Sequence, residues 1–276
     1  MDKFYLDCWV PSLKDYYKIS ELKIKQLDVL SKYLINDNNL EINKIFNSII
    51  LDNLQNKDIF TKLNRFDKWF ILSFLRAVNI SDTLTYNASS NTGPCSVEIS
   101  LLKILSDFSE LKFTNNQLQL DNFIFNFKLS NELYLKNNLD NIIESVELNN
   151  VKKIFSSEEN VEFIKGLTSE IKEGIEKYLY INDTRLNLFL LENKANLGNF
   201  RSVRFRIFDN TLFYFLKSIF LPYAQSIYRK KYLLINKIGL HYNELDDLTP
   251  AECDVFINQF MAEEKEKKSG KSNSLL

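Results

Sequence analysis

A single histidine, His241, limits the acid–base and nucleophilic chemistry open to this 276-residue chain. Any scheme that needs an imidazole base has to centre on it. Glu244, Asp246 and Asp247 follow closely, so the stretch holds one imidazole and three carboxylates. The acids lack the alternating ligand spacing of a calcium loop, and one His beside clustered acids is a thin metal signature. The expectation is a solvated connection into the next helix. Cys8, Cys95 and Cys253 are odd in number and far apart, which gives neither a disulfide framework nor paired-Cys metal spacing. There is no G-x-G-x-x-G, no G-x-x-x-x-G-K, no G-x-S-x-G and no H-E-x-x-H. Gly93-Pro94-Cys95 makes no phosphate cradle. These absences point to a non-enzymatic protein, with no catalytic residues, no cofactor, no bound metal and no small-molecule substrate.

Two basic patterns bear on nucleic acid. In Phe200-Arg201-Ser202-Val203-Arg204-Phe205-Arg206-Ile207-Phe208, Arg204 and Arg206 share one strand face while Phe205, between them, falls on the other with Val203 and Ile207. Base stacking with phosphate neutralisation wants both on one face. An amphipathic hairpin strand is therefore preferred, and nucleic-acid binding through Arg201–Arg206 is kept as an alternative. Arg229-Lys230-Lys231 reads as the polar face of a helix. The formal charge is only -1, with 35 basic and 36 acidic residues, so no global field draws the chain to nucleic acid or to an anionic membrane.

Hydrophobic residues at 45% support a sizeable core, and only six Gly and four Pro favour long helices. No window approaches eighteen uninterrupted apolar residues, so no membrane span is expected. The opening Met-Asp-Lys-Phe-Tyr-Leu-Asp lacks the basic start and apolar run of a secretory leader, which points to a reducing cytoplasm.

The elements that would carry any surface can be read in order. Period-two alternation predicts a hairpin over 3–20, turning at Pro11-Ser12-Leu13-Lys14. Ser20 and Lys23 form an imperfect cap for a helix through Leu22–Leu34. A second helix runs from Leu40 to Leu54 after Asn36-Asp37-Asn38-Asn39. A third spans about 60–79 and is apolar on most sides, so it belongs at the centre of the N-terminal half. Residues 82–100 predict a second hairpin, 101–105 a short helix or turn, and 122–129 a half-buried edge strand. The middle, 131–182, predicts helices through Leu133–Ile143 and Val161–Leu179, with Gly166 and Gly174 weakening the second as one rod. A third hairpin is expected within 186–208.

The C-terminal region predicts three helices. Leu212, Phe213, Phe215, Leu216, Ile219 and Phe220 mark the first. Pro222 starts the second, buried through Tyr223, Ile227, Tyr228, Tyr232 and Ile235, and Gly239 ends it. Thr249-Pro250-Ala251-Glu252 is a capping box for the third, which carries Val255, Phe256, Phe260 and Met261. The expected fold is α+β and mostly helical, with two or three β-hairpins and a C-terminal bundle. It divides into 1–130 and 131–268, which can also form one continuous domain, with a disordered tail at 269–276. Tyrosine is favoured at interfaces, and Phe213, Tyr214, Phe220, Tyr223, Tyr228 and Tyr232 are the candidate partner-binding residues.

The hairpin with Val10-Pro11-Ser12-Leu13, the segment F-D-K-W-F-I-L-S-F-L-R-A at 66–77, the hairpin at 82–100 and the ending L-F-Y-F…Y-R-K-K-Y-L-L…L-D-D-L-T-P-A-E…F-I together resemble the T4-type bacteriophage baseplate hub proteins. The resemblance covers roughly 1–100 and 185–265. It implies a non-enzymatic assembly factor that binds other baseplate hub or tail proteins in the cytoplasm of the infected cell. A permanent structural subunit of the virion baseplate is the alternative. Relatives often carry paired cysteines in the hairpin after the third helix. Here Cys95 stands alone, so structural zinc is not expected.

Overall fold

The computed structural model describes residues 4–90, 93–109, 117–135, 142–149, 151–185 and 209–272. Strands β1 (Tyr5–Val10) and β2 (Asp15–Ser20) form the first hairpin, with Trp9 opposite Tyr16 and Leu6 opposite Ile19. Alternation puts Cys8, Val10 and Ile19 in the core. Trp9 and Tyr16 meet edge to face on the outer surface, 5.1 Å between ring centres.

Helices α1 (Ile24–Ile35) and α2 (Asn39–Asn53) follow where the period places them. The Ser20 hydroxyl does not cap α1; it donates to Asn53 Oδ1 at 2.9 Å. The Gln26 side chain instead accepts from the Lys23 amide. A 3-10 turn over Lys57–Lys62 shortens the third helix, so α3 runs Arg65–Asn79. Asn64 starts it: its Oδ1 accepts from the Phe66 and Asp67 amides, and Asp67 accepts the Asn64 amide in return.

The central position expected for α3 is observed. It is buried on nearly every side, through Trp69, Ile71, Leu72 and Leu75 but also Arg65, Asp67, Lys68, Arg76 and Asn79. Buried polar groups require partners, and these hold segments that have none of their own. Asp67 accepts from the Ser12 amide at 3.0 Å and its hydroxyl at 2.5 Å, pinning the β1–β2 turn. Asn79 Oδ1 accepts from the Leu22 amide. Arg65 donates to the carbonyls of Leu133 and Asp209, and Lys68 to Asn131 O and Asn47 Oδ1.

The second hairpin pairs β3 (Thr83–Ser90) with β4 (Gly93–Ser100). Helix α4 (Leu101–Phe108) returns to α3, where the Phe108 ring lies 5.7 Å from Trp69. An antiparallel sheet then orders β5 (Gln117–Leu120), β6 (Phe123–Phe127), β7 (Ile143–Leu148) and β8 (Val151–Ile154). Two expectations are corrected here. Strand β6 is interior, not an edge. The helix expected through Leu133–Ile143 is absent from its described residues: Leu133 and Leu135 lie in irregular chain, and Ile143 opens β7. Tertiary hydrogen bonds replace helical ones there. Asn210 Oδ1 accepts from the Leu135 amide at 2.7 Å, Asn210 Nδ2 donates to the Leu135 carbonyl at 2.9 Å, and Asn43 Oδ1 accepts from the Tyr134 amide.

Helices α5 (Ser157–Gly166) and α6 (Ser169–Arg185) divide the predicted long rod. Gly174 does not break it; a Cβ there would stand 2.9 Å from a Leu120 methyl, so Gly174 allows β5 to lie close to α6. The hairpin expected within 186–208, with Arg201, Arg204 and Arg206, lies outside the described residues.

The C-terminal region differs most from expectation. Helix α7 (Thr211–Leu233) is one continuous element that runs through Pro222. A wide π turn over Leu234–Ile238 ends at Gly239, φ +89°, the left-handed terminator the sequence marks. A short helix, α8 (Tyr242–Asp246), leads to α9 (Pro250–Ser272). The Thr249 amide donates to Glu252 Oε2 at 2.7 Å and the Glu252 amide to Thr249 Oγ1 at 3.2 Å, completing the predicted box. Helix α9 is described through Ser272, and residues 273–276 of the expected tail lie outside the described residues. One buried cluster reaches from Cys8 to Cys253, with α1 and α3 both packed on α7. The fold is mostly helical α+β, as expected.

Candidate protein-interaction surface

Helix α7 divides into two faces. Leu212, Phe213, Leu216, Phe220 and Ile227 are buried at helical spacing. Phe213 and Phe220 pack their rings on Phe46 at 6.1 and 5.7 Å, and Phe213 meets Tyr134 at 4.9 Å. The opposite face exposes Tyr214, Ser218, Pro222, Gln225, Tyr228, Arg229 and Tyr232. Residues 14 and 18 apart in a helix return to nearly the same direction. Tyr214, Tyr228 and Tyr232 therefore form one stripe, with 49%, 47% and 57% of their surface in solvent.

The six candidate partner-binding residues thus separate into two groups. Tyr214, Tyr228 and Tyr232 reach the surface, although the sequence spacing places Tyr228 and Tyr232 in a buried stripe. Phe213, Phe220 and Tyr223 are core. Burial raises the Tyr223 hydroxyl well above its ordinary pKa, with Cys253 and Asp254 adding to it. In α9, Val255, Phe256 and Met261 are exposed.

The other candidate groups are scattered. His241 precedes α8, and its amide donates to Glu244 at 2.9 Å; Asp247 faces Lys25 at 3.4 Å. The connection expected here is partly helical, with α8 burying Leu245. Among the described residues no group of three His, Cys, Asp or Glu side chains gathers to hold a metal ion. Burial pushes the Cys8 thiol up, and burial followed by Asp254 pushes Cys253 up to about 11, so both stay protonated and unreactive at neutral pH.

Arg229-Lys230-Lys231 is not a uniform polar face. Arg229 is exposed, and Lys230 pairs with Asp254 at 2.5 Å. Lys231 is buried between Asp28 at 3.0 Å and the Tyr242 hydroxyl at 2.9 Å. Burial alone would lower its pKa, but those two partners together raise it. The pair ties α7 to α1, and the Lys217–Asp37 pair ties the helices again at the other end. Beside the Lys217–Asp37 tie lies an open groove of about 580 Å³, lined by Leu34, Ile35, Asp37, Lys217, Leu221 and Gln225. Sequence reasoning missed this groove. It exists because α1 and α7, far apart in the sequence, lie side by side, and no local period encodes that pairing. No helix among the described residues is long and apolar enough to cross a membrane. No family model, curated protein or solved structure matches the chain.

Proposed function

We propose that this protein is a non-enzymatic assembly factor for the baseplate hub of a contractile phage tail, acting in the infected cell by binding other hub or tail proteins. The observation that supports this reading is the tyrosine stripe of α7. A helix whose inner face is core presents Tyr214, Tyr228 and Tyr232 to solvent on its outer face, and tyrosine is the side chain that protein interfaces enrich. The rigid mount keeps the ordering cost of docking small. The resemblance in 1–100 and 185–265 names the setting in which such a surface would act.

Co-expression with each hub and tail protein, followed by size-exclusion chromatography, tests the proposal. The wild-type chain is expected to co-elute with at least one partner. The combined Tyr214→Ser, Tyr228→Ser and Tyr232→Ser variant should keep its circular dichroism and lose the complex. Retention of the complex by that variant would overturn the assignment of the surface. Recovery of the chain from washed virions would mark a permanent subunit in place of a transient factor.

A further inference from the structure

Resting on that reading, we infer that the partner segment docking here is an acidic, amphipathic helix lying along the groove between α1 and α7. The charges of this face point to it. Helix α7 contains no acid at all, and α1 contains only Asp28. Asp28 is engaged by Lys231, and Asp37 beyond α1 is engaged by Lys217. Lys25 and Lys230 are matched by Asp247 and Asp254. After these pairings Lys32, Arg229 and Lys237 remain exposed, with no ion pair to any described residue. Lys32 lies between Asp28 and Ile35 along α1, at steps of four and three, with its ammonium 5.8 Å from the Tyr33 ring. Arg229 is one turn beyond Gln225. On α1, α7 and the π turn the charges left unmatched are all positive, in a chain whose net charge is only -1.

The shape and depth of the groove select among anionic partners. Its apolar lining is Leu34, Ile35 and Leu221, and Ile35 is half exposed with no described cover. Aliphatic anchors suit that lining, whereas a phosphate backbone gains nothing from it and meets the Asp37 carboxylate at one end. The tyrosine stripe from position 214 to 232 runs about 27 Å, the length of about 18 helical residues. A helix in a groove places anchors at i, i+3, i+4 and i+7. Carboxylates flanking that stripe would meet Lys32 and Arg229, which favours fast and salt-sensitive association.

The test uses the full chain and two fluorescein-labelled amphipathic peptides of 18 residues, alike except for glutamate or lysine on the polar face. The glutamate peptide is expected to bind at least about ten-fold more tightly, and combined Lys32→Glu and Arg229→Glu should reverse that order. Equal binding of the two peptides, or an order unchanged by the charge swap, overturns the inference. So does salt-dependent retention of single-stranded DNA that the swap abolishes, which would assign the face to nucleic acid. A dimer of the chain alone that the swap dissociates would assign the groove to a second copy. The two readings fail separately. If the tyrosine variant loses a tail-protein complex that the charge swap leaves intact, the surface stands and the acidic helix falls.

Discussion

Arg76 on α3 donates from Nε to the carbonyl oxygen of Ile219 on α7 at 3.3 Å, three residues ahead of Pro222. Pro222 has no amide hydrogen for the Ser218 carbonyl, and its ring crowds that turn. The helix nevertheless continues, because Ile219, Phe220, Tyr223 and Ala224 are all held in the core around the proline. Arg76 adds a donor from a neighbouring helix to the disturbed turn. The same contact fastens the N-terminal helices to the C-terminal one.

Replacing Arg76 with methionine keeps most of the packing and removes the donor. The expected loss is about 1–3 kcal/mol, measured by urea unfolding. A change below about 0.5 kcal/mol, the size of an ordinary surface substitution, would show that the contact holds nothing. Pro222→Ala restores an amide to the Ser218 carbonyl at an exposed position and should stabilise the chain by about 1 kcal/mol or more.

Pro222 also shows where sequence reasoning stops. Its residue type fits a helix start, and nothing nearby states that core contacts on both sides will carry a helix through it. The hairpins at Tyr5–Ser20 and Thr83–Ser100, the Asn36–Asn39 interruption, Gly239 and the Thr249–Glu252 box were legible, because each depends on residues close in the chain. The irregular segment at Leu133–Leu135 was not, because its amides and carbonyls are satisfied by Asn43 and Asn210 from distant elements. The exposed tyrosines were only half legible. Composition pointed to Tyr214, Tyr228 and Tyr232, but their common face needs one helix where the sequence predicted two.

The two groups of aromatic residues on α7 should respond differently to truncation. Phe213→Ala empties a site lined by Phe46 and Tyr134 and should cost about 3–5 kcal/mol. Tyr232→Ala removes a ring already half in solvent and should stay within about 0.5 kcal/mol. Thermal unfolding of the two variants side by side decides the matter. Similar losses would mean that the two faces are not distinct.

The start of α9 rests on reciprocal hydrogen bonds between Thr249 and Glu252. Thr249→Ala leaves the Glu252 amide without its acceptor and should cost about 0.5–2 kcal/mol. Thr249→Ser keeps the oxygen and should recover most of it. If serine were as damaging as alanine, the buried Thr249 methyl would be the important group and the cap incidental.

Asp67 gives a pH dependence whose sign follows from its surroundings. Burial raises its carboxyl above the ordinary 3.8, and the hydrogen bonds from Ser12 and Asn64 pull it back only in part. The folded chain therefore binds this proton more tightly than the unfolded chain. Between the ordinary and the raised value the native state carries more proton, so stability falls as pH rises through that window and is level above it. Asp67→Asn abolishes the titration. At neutral pH it also sets an amide donor against the Ser12 and Asn64 donors, a loss of about 1–3 kcal/mol. Urea unfolding of both proteins from neutral pH down toward the ordinary carboxylate range should show the wild-type advantage growing as acid is added. An advantage that shrinks in acid would mean that the three hydrogen bonds outweigh burial, and that Asp67 holds the β1–β2 turn as a favoured anion.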